Sequence, residues 1–228
     1  MVSVIIPTYN EAKVIEDLVW FLKANAGIYD TEIIVSDGGS TDKTIELAEN
    51  AGATVLKCSQ KGRASQMNFG ASKSTGSILY FVHADCIPPK GFAKDIMDAV
   101  NAGYDVGRYQ TKFISTNLLL KINAFFTRFD MFSCYGGDQT LFITKDLFTK
   151  LNGYDVSKLI MEDYDITSRA KEKARYMIFN RSVLVSARKY ELNSWLRVQK
   201  ANYKAVQQYK KGISTQQIAN TYKKMLHL

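Results

Sequence analysis

Cysteine is scarce in this chain, with three among 228 residues: Cys58, Cys86 and Cys134. An odd, widely spaced set argues against a disulfide framework and a zinc site, and points to a reducing compartment. Long apolar runs are missing as well. The richest stretch, Leu118 to Phe132, is broken by Lys121, Arg128 and Asp130, so no window is suited to spanning a bilayer. The opening MVSVIIPTYNE has no basic lead and reads as a first strand, not as a signal peptide. Repeats, low-complexity tracts and linker-like stretches are absent too. Acids are outnumbered: 22 Asp and Glu face 30 Lys and Arg, a net charge of +8. That surplus favours anionic partners such as nucleotide diphosphates, acidic lipid or nucleic acid, and is equally compatible with a solvated basic face. Apolar residues are plentiful, at 46% against 23% charged, which excludes disorder and allows one packed α/β domain.

The first half alternates strand and helix. Strands are predicted at Val2 to Ile6, Glu32 to Ser36, Thr54 to Lys57 and Ser77 to Val82. Helices are predicted at Ala12 to Ala26, from an Asp42 cap to Asn50, and at Arg63 to Lys73. Nearly continuous apolar strands between amphipathic helices predict a mostly parallel sheet covered on both faces. The second half predicts a strand at Asp105 to Ile114, a helix at Asn117 to Phe132, a strand after Gly136-Gly137-Asp138-Gln139, a helix at Glu162 to Lys173 and a strand at Val183 to Ala187. A basic helical appendage, 191–228, follows the main domain, 1–190.

Ligands of such sheets bind beyond the carboxyl ends of the strands. Three consecutive ends carry acids here: Pro7-Thr8-Tyr9-Asn10-Glu11, Asp37-Gly38-Gly39-Ser40-Thr41-Asp42 and His83-Ala84-Asp85. Clustered carboxylates repel unless a cation or hydrogen-bond donors sit among them. A metal supplies the first and a nucleotide base the second.

Those three motifs, followed by Glu162-Asp163, together resemble glycosyltransferase family 2: inverting enzymes with the GT-A fold, a Rossmann-like sheet flanked by helices. The likeness runs from about Val2 to Glu191. It is strongest to a small cytoplasmic branch with His-Ala-Asp in place of Asp-x-Asp and with a Gly-Asp-Gln further on. The resemblance implies a sugar moved from a UDP- or GDP-linked donor to a hydroxyl acceptor. It assigns Pro7, Tyr9, Glu11, Asp37, Gly38 and Ala84 to the nucleotide, with Asp37 accepting a base N–H. Lys61, Arg63, Asn68 and Arg188 go to the nucleotide and diphosphate, with Lys189 beside them. Asp85 would hold Mg²⁺ or Mn²⁺; His83 in that slot more often contacts ribose or phosphate, and as a metal ligand it would favour Mn²⁺. Asp163 would be the base and Glu162 its companion, the helix start keeping the carboxylate ionised. Gly137, Asp138 and Gln139 would line the sugar or acceptor pocket.

Simpler readings exist for each element. Asp37 before two glycines is a common turn, two acids often open a helix, and Gly136-Gly137 is a turn in its own right. A nucleotidyltransferase shares a similar sheet but carries a Gly-rich basic loop after the first strand, which PTYNEAK is not. A non-catalytic nucleic-acid-binding module leaves the strand-end acids unexplained. Leu118, Leu119, Ile122, Phe125, Phe126 and Phe129 recur at helical spacing, and the C-terminal part interleaves lysines with aromatics. Both suit an anionic membrane surface, and related transferases use lipid-linked acceptors, so a cytoplasmic, peripheral location is expected. Packing on the sheet explains the same periodicity.

Overall fold

A computed structural model describes residues 1–226. Its strands are β1 (Val2–Thr8), β2 (Thr31–Asp37), β3 (Thr54–Lys57), β4 (Ile78–Phe81), β5 (Cys86–Ile87), β6 (Val106–Phe113), β7 (Leu141–Thr144) and β8 (Tyr176–Val185). The helices are α1 (Ile15–Asn25), α2 (Thr44–Asn50), α3 (Arg63–Lys73), α4 (Phe92–Asn101), α5 (Leu118–Phe126), α6 (Lys145–Lys150), α7 (Glu162–Lys171), α8 (Arg188–Leu192), α9 (Trp195–Lys210) and α10 (Thr215–Met225). All strands join one sheet in the order β3-β2-β1-β4-β7-β6-β8-β5. The pairs β1–β2, β1–β4, β2–β3 and β6–β8 are parallel, while β7 runs antiparallel to β4 and β6 and β5 runs antiparallel to β8.

Side-chain alternation along β1 builds three layers. Val2, Val4 and Ile6 join Leu18, Val19 and Leu22 of α1, Ala48 of α2 and Ile96 of α4 on one face. Ile5 points the other way, into a core with Met67 of α3, Leu147 of α6 and Ile166 of α7. α3 lies so close to β1 that a Cβ on Gly70 would come within 2.6 Å of Ile5 Cγ2. The hairpin α9–α10 packs Ala205, Val206 and Ile218 on Met161, just ahead of α7.

Several expected boundaries move. β1 runs through Pro7 to Thr8. β8 begins at Tyr176, not Val183. The helix expected to reach Phe132 stops at Phe126, where the Thr127 hydroxyl donates to Ala124 O (2.7 Å) and accepts from Thr111 N (2.9 Å). The appendage expected from Glu191 begins inside α8. Among the described residues no helix is long and apolar enough to cross a membrane.

Candidate active site

The ends of β1 and β2 are zipped together. Asn10 N donates to Ser40 Oγ (2.8 Å), Thr41 N to Asn10 Oδ1 (2.9 Å) and Glu11 N to Thr44 Oγ1 (2.8 Å). Asp37 is fully buried in this junction. Its Oδ1 accepts from Gly39 N (2.9 Å) and Ser40 N (2.8 Å), and its Oδ2 from Thr8 Oγ1 (3.0 Å) and Ser40 Oγ (2.5 Å). Asp37, expected at an open strand end as acceptor for a base N–H, is instead enclosed with both oxygens taken by its own loop, which it organises. A Cβ on Gly38 would sit 3.0 Å from the Gln66 amide, which would have to give way to admit it. Gln66 was not singled out from the sequence, yet its Nε2 bridges Thr8 O (2.7 Å) and Ser36 O (2.9 Å). Tyr9 is 55% exposed above this floor, whereas Pro7 is covered within β1.

Beyond β4 the chain carries His83, the buried Ala84 and Asp85, and is pinned to the end of β8 by Ser186 N donating to Asp85 O (3.1 Å). That contact sets Arg188 beside two acids. Its guanidinium grips Glu11 with both terminal nitrogens (2.9 Å each) and lies 3.5 Å from Asp85 Oδ2. Lys189 turns away instead, donating to Tyr222 OH on α10 (3.0 Å). Asn68 is likewise committed elsewhere. Its amide exchanges two bonds with the Tyr154 backbone (2.8 and 2.9 Å), so it braces α3 and is not free for a nucleotide. Lys61 stays exposed on the loop before α3.

The second half of the site lies at the N-terminus of α7. Met161 adopts a left-handed conformation (φ 70°) directly before Glu162, the kind of backbone outlier that persists at functional sites because its surroundings hold it. Glu162 is buried, with Arg63 Nε 2.6 Å from Oε1 and no donor on Oε2. Asp163 shares its space with His83 and Gly137. A Cβ on Gly137 would sit 2.1 Å from His83 Cε1 and 2.5 Å from Asp163 Oδ2, so only glycine fits there. Gln139 is buried, with Nε2 donating to Cys134 O, and Thr140, at φ 57°, ends the turn. Sequence reasoning also missed Arg108, which lines this cavity with His83 and Asp163.

Burial dominates the electrostatics. It pushes the Asp163 carboxyl up to about 6, against the opposing pull of Arg63. It raises Glu162, again opposed by Arg63, and Asp138, opposed by Lys189. The helix-start argument for Asp163 is thus outweighed: desolvation exceeds the first-turn field, and the group still ionises at neutral pH. His83 moves down, first from burial and then from Arg63, and is a neutral imidazole at pH 7.

Among the described residues no three His, Cys, Asp or Glu side chains form a preformed metal cage. Asp85 remains open for a ligand. Its neighbours are Arg188 and the Cys86 thiol at 3.6 Å. One carboxylate with free lone pairs fits a hard divalent ion that takes its other oxygens from a diphosphate and water.

Comparison with known proteins identifies the family and the fold. A segment is 29% identical over 110 residues to a dolichol-phosphate mannosyltransferase of Pyrococcus furiosus, covering 46% of this chain and 31% of that protein. Another is 38% identical over 84 residues to the protein RfbJ of Shigella flexneri, covering 37% and 64%. A mannosyltransferase of Pyrobaculum calidifontis, solved with GDP-Man and Mn²⁺, superposes at a TM-score of 0.72 and 18% identity over 93% of this chain and 64% of that one. A Mycobacterium tuberculosis glucosyl-3-phosphoglycerate synthase, solved with phosphoglyceric acid, superposes at 0.61 and 16% identity, covering 99% and 80%. Residues 3–150 match the family described as glycosyl transferase family 2. The chain, an α/β protein of the GT-A fold, belongs to that family.

Proposed function

We propose that this chain moves a sugar from a nucleotide diphosphate donor, UDP- or GDP-linked, to a hydroxyl acceptor by a single displacement with inversion. The observation that carries the reading is the buried Asp163, held near pKa 6 against His83 and Gly137, in the same site as Asp85 and Arg188. Solved relatives holding UDP-GlcNAc or GDP-Man support the donor class.

The nucleotide rests on the floor made by Tyr9, Gly38 and the Asp37-ordered loop. Arg188 leaves Glu11 and Asp85 for the diphosphate, exchanging carboxylate partners for phosphate ones. Asp85 would hold Mg²⁺ or Mn²⁺, which neutralises charge on the leaving diphosphate. Asp163 accepts the acceptor's proton as its oxygen attacks the anomeric carbon, a base matched in pKa to neutral solution. Arg63 and Glu162 fix the start of α7. Neutral His83 contacts the sugar or acceptor and leaves Asp85 as the protein's metal ligand.

Asp163→Asn tests this. Donor affinity in calorimetric titration should survive while transfer is lost. Normal transfer by Asp163→Asn, with a dead Glu162→Gln, would reassign the base. Release of pyrophosphate in place of a nucleoside diphosphate would indicate nucleotidyl transfer instead.

A further inference from the structure

Helix α5 is unusual in what it fails to bury. Of its nine residues only Leu120 is buried. Leu118 (67% exposed), Ile122 (45%), Phe125 (47%) and Phe126 (46%) face solvent, and Phe129 and Met131 continue the exposed surface past its end. Phe125, Phe126 and Phe129 pack mutually, with centroids 5.7 to 6.4 Å apart. Polar fixings hold the helix. Asn117 Oδ1 caps its first turn by accepting from Leu119 N (2.9 Å). Buried Arg108 takes Thr127 O (2.6 Å) and Phe129 O (3.1 Å) at the other end. The apolar residues are therefore presented outward on a fixed element and contribute little to the core, and a contiguous patch of this kind marks an interaction surface.

The surrounding charge selects the partner. Exposed Lys121 and Arg128 flank the aromatics, and the Arg128 guanidinium lies 4.1 Å over the Phe125 ring. The nearby acid, Asp130, is tied to Lys171 at 2.5 Å. Tyr190 OH accepts from both Asn123 of α5 and Gln199 of α9 (3.4 Å each), and α9 adds exposed Leu196 and Tyr203 with Lys200 and Lys204. A second copy laid symmetrically on this face would set like charges against one another. An anionic bilayer takes the rings at its acyl boundary and the cations at its headgroups.

We propose that α5, with Phe129 and Met131, is an interfacial anchor that docks this protein on an anionic membrane without spanning it. The chain leaving the anchor reaches Phe132, whose ring packs on Tyr164 beside Asp163 (5.2 Å). The anchor thus leads onto the start of α7, the helix that carries Asp163, and, resting on the sugar-transfer reading above, the acceptor is lipid-linked.

The test is co-sedimentation of the full chain with vesicles of phosphatidylglycerol and phosphatidylcholine, or of phosphatidylcholine alone, at low and high salt. Binding should need the anionic lipid and weaken with salt. The triple variant Ile122→Ser, Phe125→Ser, Phe126→Ser should bind roughly 30-fold more weakly, from the apolar area withdrawn from the bilayer. Its donor hydrolysis without acceptor should match the parent and its thermal unfolding should stay cooperative, because Leu120, the residue of α5 that is buried, is kept. No pelleting with any vesicle, equal binding by the triple variant, or a dimer in light scattering that the triple variant dissolves would each overturn the proposal. Vesicle binding needs no nucleotide, so a failed sugar-transfer reading would show separately as absent donor hydrolysis and binding.

Discussion

On the proposed reading Asp163 is the base, which works only while ionised, and burial pushes its carboxyl up to about 6. With one controlling group at about 6, the ionised fraction is about 0.9 at pH 7 and about 0.09 at pH 5, so transfer should fall about tenfold over that interval. An aspartate at its ordinary value of about 4 would give an almost flat profile there. Two substitutions should move the acid limb in opposite directions. Arg63→Gln removes a cation that lowers the carboxyl, so the limb should rise by about one unit. That is the low end for a neighbouring charge, because the Arg63 side chain is 49% exposed. The variant should then run at about half the parental rate at pH 7 and recover by pH 9. Asp138→Asn removes a charge that raises the carboxyl, so its limb should shift toward acid. The assay is kcat/KM from nucleotide diphosphate release between pH 4.5 and 9. Because Glu162 and Asp138 are also raised, the limb belongs to the cluster, which is why the opposed signs matter. A parental limb below pH 5, or shifts of the same sign in both variants, would refute the reasoning.

Gly137→Ala should drive His83 and Asp163 apart, since its Cβ would lie 2.1 Å from one and 2.5 Å from the other; kcat should fall at least about tenfold with donor binding intact. Asp37→Ala should lose nucleotide binding and also about 2 kcal/mol of stability, roughly 4–8 °C of Tm, because four donors lose their acceptor; an unchanged Tm in calorimetry would contradict the loop-organising role. Asp85→Asn should abolish any divalent-cation dependence of donor binding, read by thermal shift with Mn²⁺, Mg²⁺ and chelator, whereas full donor hydrolysis by the parent in excess chelator would remove the metal from the scheme.

The alternation of strands and helices from Val2 to Phe81 was legible because each element carries its own periodicity. The fold also sets Arg188 beside Glu11 and Asp85, residues that the family resemblance had grouped. What escaped depends on contacts distant in sequence. The burial of Asp37 arises from loops about thirty residues apart closing over it. Nothing local to Asn68 reveals that Tyr154 occupies its amide. The early end of α5 is fixed by Arg108, on a different strand. β8 escaped at its start because Asn180, Arg181 and Ser182 interrupt the apolar pattern, and because a register shift near Arg108 and Gln110 accommodates the strand beside β6. α4 did leave a signal, in Phe92, Ala93, Ile96 and Ala99 at helical spacing between Gly91 and Gly103.

The Glu11–Arg188 pair joins residues 177 positions apart, and it forms only after β8 has found β6 and carried Arg188 to the far strand ends. Pairings of such long range are among the slowest steps of folding, since loop closure precedes any reward from contact. A nascent or half-folded chain therefore lacks Arg188 at the strand ends, however well its first four strands have paired. On the proposed reading Arg188 reaches the donor diphosphate only in the completed fold, and an incomplete molecule should not squander activated sugar on water.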